Sequence, residues 1–367
     1  MSKSFLQKEL EKRALPDLLF VEGVKISTSA EWEEIARPYW RNMLLNEEYG
    51  KRPCDITPTV TVTPQFIDFA GKAKWEEVVF RFEKDGKEYT VPTQLIYPAD
   101  GKKHPFFIYL NFRPDIPDRY LPVEEIIDNG FGIFTVCYSN VTPDDCNFTA
   151  GLPLLFQEGE RAQDDTGKIG YWAYMASKMM DYLLTRPEAE EKGIGVAGHS
   201  RLGKTALLTA ALDERFAFAC ANDSGCSGAA LSRYASKAGE KIDDICRKFP
   251  FWFAPAYTKY ANNEKNLPFD QHALLALIAP RAAFVGGAVE DLWADNDNQF
   301  LNAYAVTPVW NLYDKTGLVT PDDYPKVGDI LTDGEVGFHL RAGKHYHSRT
   351  DWLVYMDGVK KYLSKQN

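Results

Sequence analysis

The stretch Ile194-Gly195-Val196-Ala197-Gly198-His199-Ser200-Arg201-Leu202-Gly203-Lys204-Thr205, with the alanine- and leucine-rich run that follows, decides how this chain is read. A short apolar run reaches a glycine, breaks at a serine and resumes with helical periodicity, which predicts a strand, a tight turn and a helix. Such a turn raises one side chain at the carboxyl end of a sheet, with the unpaired amides of a helix start beside it. Ser200 is therefore a candidate nucleophile. Gly198, Gly203, Lys204 and Thr205 also meet the spacing of a phosphate-binding P-loop, so two chemistries compete for one turn.

Outward from this turn the apolar pattern repeats. Continuous apolar runs at 106–111, 132–138, 216–222 and 282–287 join 194–198 as expected strands buried on both faces. A helical stretch at 170–187 lies between two of them. The alternation predicts an α/β fold with a mostly parallel central sheet and helices on both faces. Before it, alternating residues across 56–97, with Lys84-Asp85-Gly86-Lys87 as a hairpin turn, predict an antiparallel N-terminal edge. Residues 1–55 mix charge, proline and aromatics and read as an N-terminal extension whose helices pack outside the core. The segment 228–270 is too long for a plain connection and reads as an excursion over the active face. No linker divides the chain, so residues 1–367 read as a single catalytic domain.

The formal net charge of −10 argues against a general polyanion binder, and no nucleic-acid partner is expected. The charged start lacks the apolar core of a signal peptide, and no stretch is long and apolar enough to span a bilayer, so no membrane partner is expected either. The six cysteines include no C-x-x-C pair, which leaves metal and dithiol chemistry without support.

A serine hydroxyl becomes a useful nucleophile when a histidine takes its proton and a carboxylate orients that histidine. In α/β-hydrolases the three follow in the order serine, acid, histidine. Asp291 follows the run 282–287 and His345 lies near the end of the chain, so the order is met. Asp223, which ends the run 216–222, competes with Asp291 for the acid's role, and Glu290 is a weaker competitor; an aspartate at a strand end also serves as a turn or helix cap. His345 and His347 share one loop sequence, HLRAGKHYHSRTDW, which also reads as an exposed turn. His272 reads as a structural residue at a helix start, and His199 is expected to point away from the nucleophile. Leu202 stands where a G-x-S-x-G turn would carry its second glycine. Arg201 and Lys204 place cations at a helix start, against its dipole, and that placement calls for an anionic or polar contact. The P-loop reading leaves Asp291 and His345 unused.

With these residues in view, the chain resembles the glucuronoyl esterases, carbohydrate esterase family 15, and its bacterial members more than its fungal ones. The resemblance rests on GHSRLGKTALLTAALDERFAFACANDSGCSGAALSR, GE at 239–240, LPFDQHALLALIAPR, EDLWAD, and RAGKH followed by DW, in order over residues 100–360. It implies an α/β-hydrolase fold, with Ser200 as nucleophile, His345 as base, Asp291 or Asp223 as acid and Arg201 on the oxyanion. It further implies that Lys204, Glu240 and Trp293 contact the sugar, and that no metal or cofactor takes part. The expected activity is that of a serine esterase which cleaves esters of 4-O-methyl-glucuronic acid, as in xylan–lignin linkages, through an acyl-enzyme. The expected partner is a glucuronoxylan or lignin–carbohydrate ester, met by a monomer that is secreted or periplasmic. An acetyl xylan esterase, a P-loop nucleotide hydrolase and a carbohydrate-binding homologue without turnover are the alternatives. The chain departs from the fungal pattern at His199, where those members carry a disulfide-bonded cysteine, and at Asp223, where they carry glutamate. Lys344 replaces a glycine often found before the histidine.

Overall fold

A computed structural model describes residues 3–63 and 66–366. Two two-residue strands, β1 (Phe20–Val21) and β2 (Val24–Lys25), pair only with each other. All other strands enter one sheet: β3 (Thr59–Val62), β4 (Phe66–Asp68), β5 (Ala73–Lys84), β6 (Lys87–Pro98), β7 (His104–Asn111), β8 (Gly132–Cys137), β9 (Ala189–His199), β10 (Phe218–Asn222), β11 (Ala282–Ala288), β12 (Ile330–Leu331) and β13 (Val336–Arg341). Across the sheet the order is β12-β13-β11-β10-β9-β7-β8-β6-β5-β3, with β4 also on β5. The six strands from β13 to β8 are mutually parallel, and the strands outside them run antiparallel. All five expected apolar runs are among the parallel six. The sixth, β13, escaped the pattern because His339 and Arg341 interrupt its apolar sequence.

Alternation along β7 shows why the sheet is covered on both sides. Phe106, Ile108 and Leu110 pack on one face with Trp172, Met175 and Leu207 from the helices Lys168–Leu183 and Arg201–Leu212. Phe107 and Tyr109 point to the other face, against Ile126 and the Trp352 and Tyr355 rings of the helix Arg349–Ser364. The hairpin between β5 and β6 closes through Asp85 and Gly86, both with positive φ, as a two-residue turn of that hand requires.

The N-terminal extension, expected outside the core, instead enters it over its described residues 3–55. Trp32, Ala36, Trp40 and Leu44 recur every fourth residue, lie on one stripe and are all at most 2% exposed. They belong to the same apolar cluster as Ile108 and Leu207. Arg37 ties this segment down by donating to the carbonyls of Leu277 and Ala279. The six cysteines are free thiols, and Cys137, Cys220 and Cys226 are buried. Among the described residues no helix is long and apolar enough to cross a membrane.

Candidate active site

Ser200 sits between the end of β9 and the helix Arg201–Leu212 with φ 57° and ψ −127°, a costly conformation for a residue with a side chain. Two glycines make that turn possible. A Cβ on Gly198 would lie 2.1 Å from the Leu202 carbonyl oxygen, and one on Gly203 would press on Ser224 Cβ at 3.0 Å and the Asn222 carbonyl oxygen at 3.2 Å. The second glycine is therefore needed at 203, the residue that faces β10, while the Leu202 side chain is fully buried in the core. The Ser200 amide donates to the Asn222 carbonyl at 2.8 Å, which fixes the turn to the neighbouring strand.

This turn forms one wall of a cleft of about 270 Å³ at the carboxyl ends of the parallel strands. Ser200, Arg201, Lys204, Asp223, Glu240, Asp291, Trp293 and His345 all line it, so the structure brings every sequence-predicted site residue together. His345 comes from the loop after β13, and its Nδ1 lies 2.5 Å from Asp291 Oδ2. Burial discourages a charge on this imidazole, but the hydrogen bond and charge of Asp291, with the charge of Asp223 behind them, raise its pKa above the ordinary value.

Asp223, the competing acid, is bonded elsewhere. Its Oδ1 accepts the Ala288 amide at 2.9 Å, and Arg341 Nη2 reaches Oδ2 at 3.5 Å. Burial, then the nearby Asp291 charge, push its pKa up to about 7. Ligand atoms of Asp223, Asp291 and His345 lie within 4.8 Å of one another, close enough to hold a cation. Asp291 Oδ2 and His345 Nδ1 are committed to each other, and the two Asp223 oxygens to the Ala288 amide and to Arg341, as suits a proton-handling group better than a metal cage. Glu290 is exposed.

The other histidines separate cleanly. His347, two residues from His345, is fully buried, bonds Tyr109 and stacks on Trp352 at 4.8 Å, and burial drives its pKa down to about 4. His199 is buried with Nδ1 2.6 Å from Asn222 Oδ1, and its ring lies 4.4 Å from that of His345. Burial, then the neighbouring imidazoles, hold it neutral, so it packs against the His345 ring without adding charge. His272 bonds the Pro16 carbonyl at 2.8 Å.

The cations at the helix start have found their anions. Arg201 pairs with Asp144, whose second oxygen accepts Trp252 Nε1 at 2.7 Å, and the guanidinium lies 4.6 Å from the centre of the Trp252 ring. Among the described residues Arg201 Nε has no partner, so the group keeps donor capacity beyond this pair. Lys204 Nζ donates to the Ser224 carbonyl at 2.7 Å, to the Cys226 carbonyl and to Glu240 Oε2 at 2.7 Å. Its three protons are thus taken, and Thr205 Oγ1 is bonded to the Arg201 carbonyl at 3.0 Å. Lys204 has no proton left for a nucleotide phosphate, and Thr205 is fully buried, out of a nucleotide's reach, so the P-loop reading loses its chemistry. Trp293 is 39% exposed at the mouth, with Lys248 Nζ 4.3 Å above its ring.

Sequence reasoning passed over several residues. Phe249 and Trp252 stack at 3.9 Å and line the cleft, and the aromatic density of RKFPFWFAP at 247–255 was the available signal. Asp144 gave no signal, because its partners are far away in sequence. Arg341 stands inside the quoted RAGKH. It donates to the carbonyls of Ala342, Lys344 and Tyr346, and to Asp351 at 2.8 Å, and so pins the loop that carries His345.

Comparison with known proteins places the chain in a family. The family described as glucuronyl esterase, fungi, matches residues 84–314. His345 lies beyond that match, but full-length relatives span it. A carbohydrate esterase from an unknown prokaryotic organism is 31% identical, over 98% of this chain and 91% of its own. A 4-O-methyl-glucuronoyl methylesterase of Schizophyllum commune is 25% identical, over 96% of this chain and 84% of its own. The solved structure of a glucuronoyl esterase from Solibacter usitatus superposes with a TM-score of 0.88 at 31% identity, covering 95% of this chain and 97% of that one. The likeness runs along nearly the whole length of this chain, which belongs to the glucuronoyl esterase family, carbohydrate esterase family 15.

Proposed function

We propose that the protein is a serine esterase that hydrolyses esters between glucuronic acid, 4-O-methylated as on xylan, and alcohols such as lignin units. One observation carries the reading: Ser200, raised on its left-handed turn, shares a cleft with His345, whose Nδ1 is held 2.5 Å from Asp291. His345 takes the Ser200 proton through its free nitrogen, and the oxygen attacks the C6 carbonyl of the uronate ester. The amides of the helix start and Arg201 receive the oxyanion. Collapse expels the alcohol, protonated by His345, and leaves an acyl-serine; water activated by the same imidazole then releases the uronate. Asp291 stabilises the imidazolium in both steps, and Asp223 adds its charge from behind. On the sugar side Lys204 fixes Glu240, whose Oε1 accepts no hydrogen bond among the described residues and is left to take a sugar hydroxyl. Trp293 supplies an apolar wall.

Hydrolysis of benzyl glucuronate by the wild type and Ser200→Ala, beside benzyl galacturonate and acetylated xylan, tests this. Serine-dependent turnover favouring glucuronate is expected, with Ser200→Ala lowering kcat by on the order of 10⁴–10⁶. Activity on acetate alone selects an acetyl esterase, and no turnover on any ester leaves a carbohydrate-binding protein. Action as a monomer outside the cytoplasm completes the proposal, because a polymeric substrate does not cross a membrane; light scattering and cell fractionation test those two parts.

A further inference from the structure

A second cavity shares a wall with the catalytic cleft. The segment 232–241 runs between them: Glu240 lines the cleft of Ser200, while Lys241 and Tyr234 line the neighbour. The neighbour is the larger, at about 620 Å³ against about 270 Å³, and falls in the range of small-molecule sites.

Its charge is opposite to that of the molecule. Lys12, Arg13, Arg233, Lys241 and Lys265 line it with one acid, Glu264, in a chain of formal net charge −10. Three of these cations serve the fold. Arg13 is bonded to Asn298 at 2.7 Å, Arg233 to Asp270 at 3.2 Å, and Lys12 is paired with Glu9 at 2.5 Å. Lys241 and Lys265 enter no ion pair among the described residues, so their charge is left for a ligand. Tyr234 is 68% exposed and stands on left-handed backbone, φ 62°, with the Arg13 guanidinium 5.8 Å from its ring. An aromatic held open in a strained conformation, beside unpaired ammonium groups, offers a flat apolar face next to positive charge. Asn262, also exposed on positive φ, adds an amide to the rim.

We propose that this cavity binds a carbohydrate segment carrying a free uronate carboxylate, with the sugar ring on Tyr234 and the carboxylate at Lys241 and Lys265. An acidic polysaccharide then crosses the 232–241 wall with an ester in one cleft and an unesterified uronate in the other. The choice of carbohydrate rests on the esterase reading, whereas the demand for an anion rests on the lysines alone. Two free ammonium groups in an acidic protein are too short a track for a nucleic acid.

The test titrates full-length Ser200→Ala protein with a xylo-oligosaccharide bearing one free glucuronate, and with a neutral xylo-oligosaccharide of equal length, by calorimetry at low and high salt. Lys265→Glu and Tyr234→Ala are each added to that background. The acidic oligosaccharide is expected to bind more tightly than the neutral one and more weakly as salt rises. Each added substitution is expected to weaken it by about three- to tenfold. With Ser200 restored, both variants are expected to hydrolyse benzyl glucuronate at the wild-type rate, which reports an intact fold and cleft. Unchanged binding in both variants, or equal affinity for the neutral oligosaccharide, overturns the proposal. Loss of benzyl glucuronate turnover in the wild type, with binding still dependent on Tyr234 and Lys265, sinks the esterase reading alone and leaves the anion site standing.

Discussion

Two turns meet at the cleft, and different physics holds each. The turn that raises Ser200 is fixed by contact, since Gly198 and Gly203 let the helix lie where any larger side chain would collide. The loop that carries His345 is fixed by charge, since Arg341 gathers three carbonyls of that loop and anchors them to Asp351 and Asp223. Burial resists ionisation of Asp351, but its bond to His339 and the positive charge around it hold its carboxyl far below the usual range. A depressed carboxylate contributes stability above its ordinary pKa and loses it as pH falls through the folded value. The serine's placement is thus indifferent to protonation, while the histidine's placement weakens in acid.

The largest expected effect falls on the charged side. Asp291→Asn removes the imidazolium's principal partner, and kcat should fall by about 10³–10⁴. Without that anion His345 loses its upward shift, so the acid limb of the residual pH–rate profile should move to lower pH, as steady-state assays from pH 4 to 9 can read. Arg341→Met leaves Asp351 and Asp223 buried with fewer cations, and unfolding in urea should show a loss of about 3–5 kcal/mol. Gly198→Ala strikes the steric turn: about 2–3 kcal/mol of overpacking should appear in the same urea experiment, equally at pH 5 and pH 8. A pH-dependent loss there would break the contrast between the two turns.

Smaller effects sharpen it. Asp144→Asn should free Arg201 from its pair beside Trp252 and lower kcat about tenfold with little change in KM, which single-turnover and steady-state assays can separate. Asp223→Asn should move the acid limb in the same direction as Asp291→Asn, but less. Because the Asp223 carboxyl is held at about 7, above its unfolded value, the wild type loses stability from this group as pH rises through that window. In the variant, the urea midpoint should fall less between pH 4 and pH 8.

The same contrast explains what could be read from the chain alone. Contact-driven features are local, so the serine turn, the five apolar strands and the Lys84–Lys87 hairpin were legible from spacing. Resemblance supplied Glu240 and Trp293. Sequence left Asp291 and Asp223 as rivals, because only tertiary geometry turns one to the imidazole and the other to the Ala288 amide. Asp144 and Arg341 were illegible in their roles, since each acts on partners that the fold alone brings near. Strand β13 was missed for the same cause: the His339 and Arg341 that break its apolar run are the residues that bond Asp351 beneath the cleft.

The six free thiols have a practical consequence. No crossing of this sheet is stapled by sulfur, so the folded state draws nothing from an oxidising compartment and gives up nothing to a reductant. The protein can be made in a reducing cytoplasm and worked in the presence of thiols, in mixtures where a disulfide-dependent enzyme would lose its cross-links.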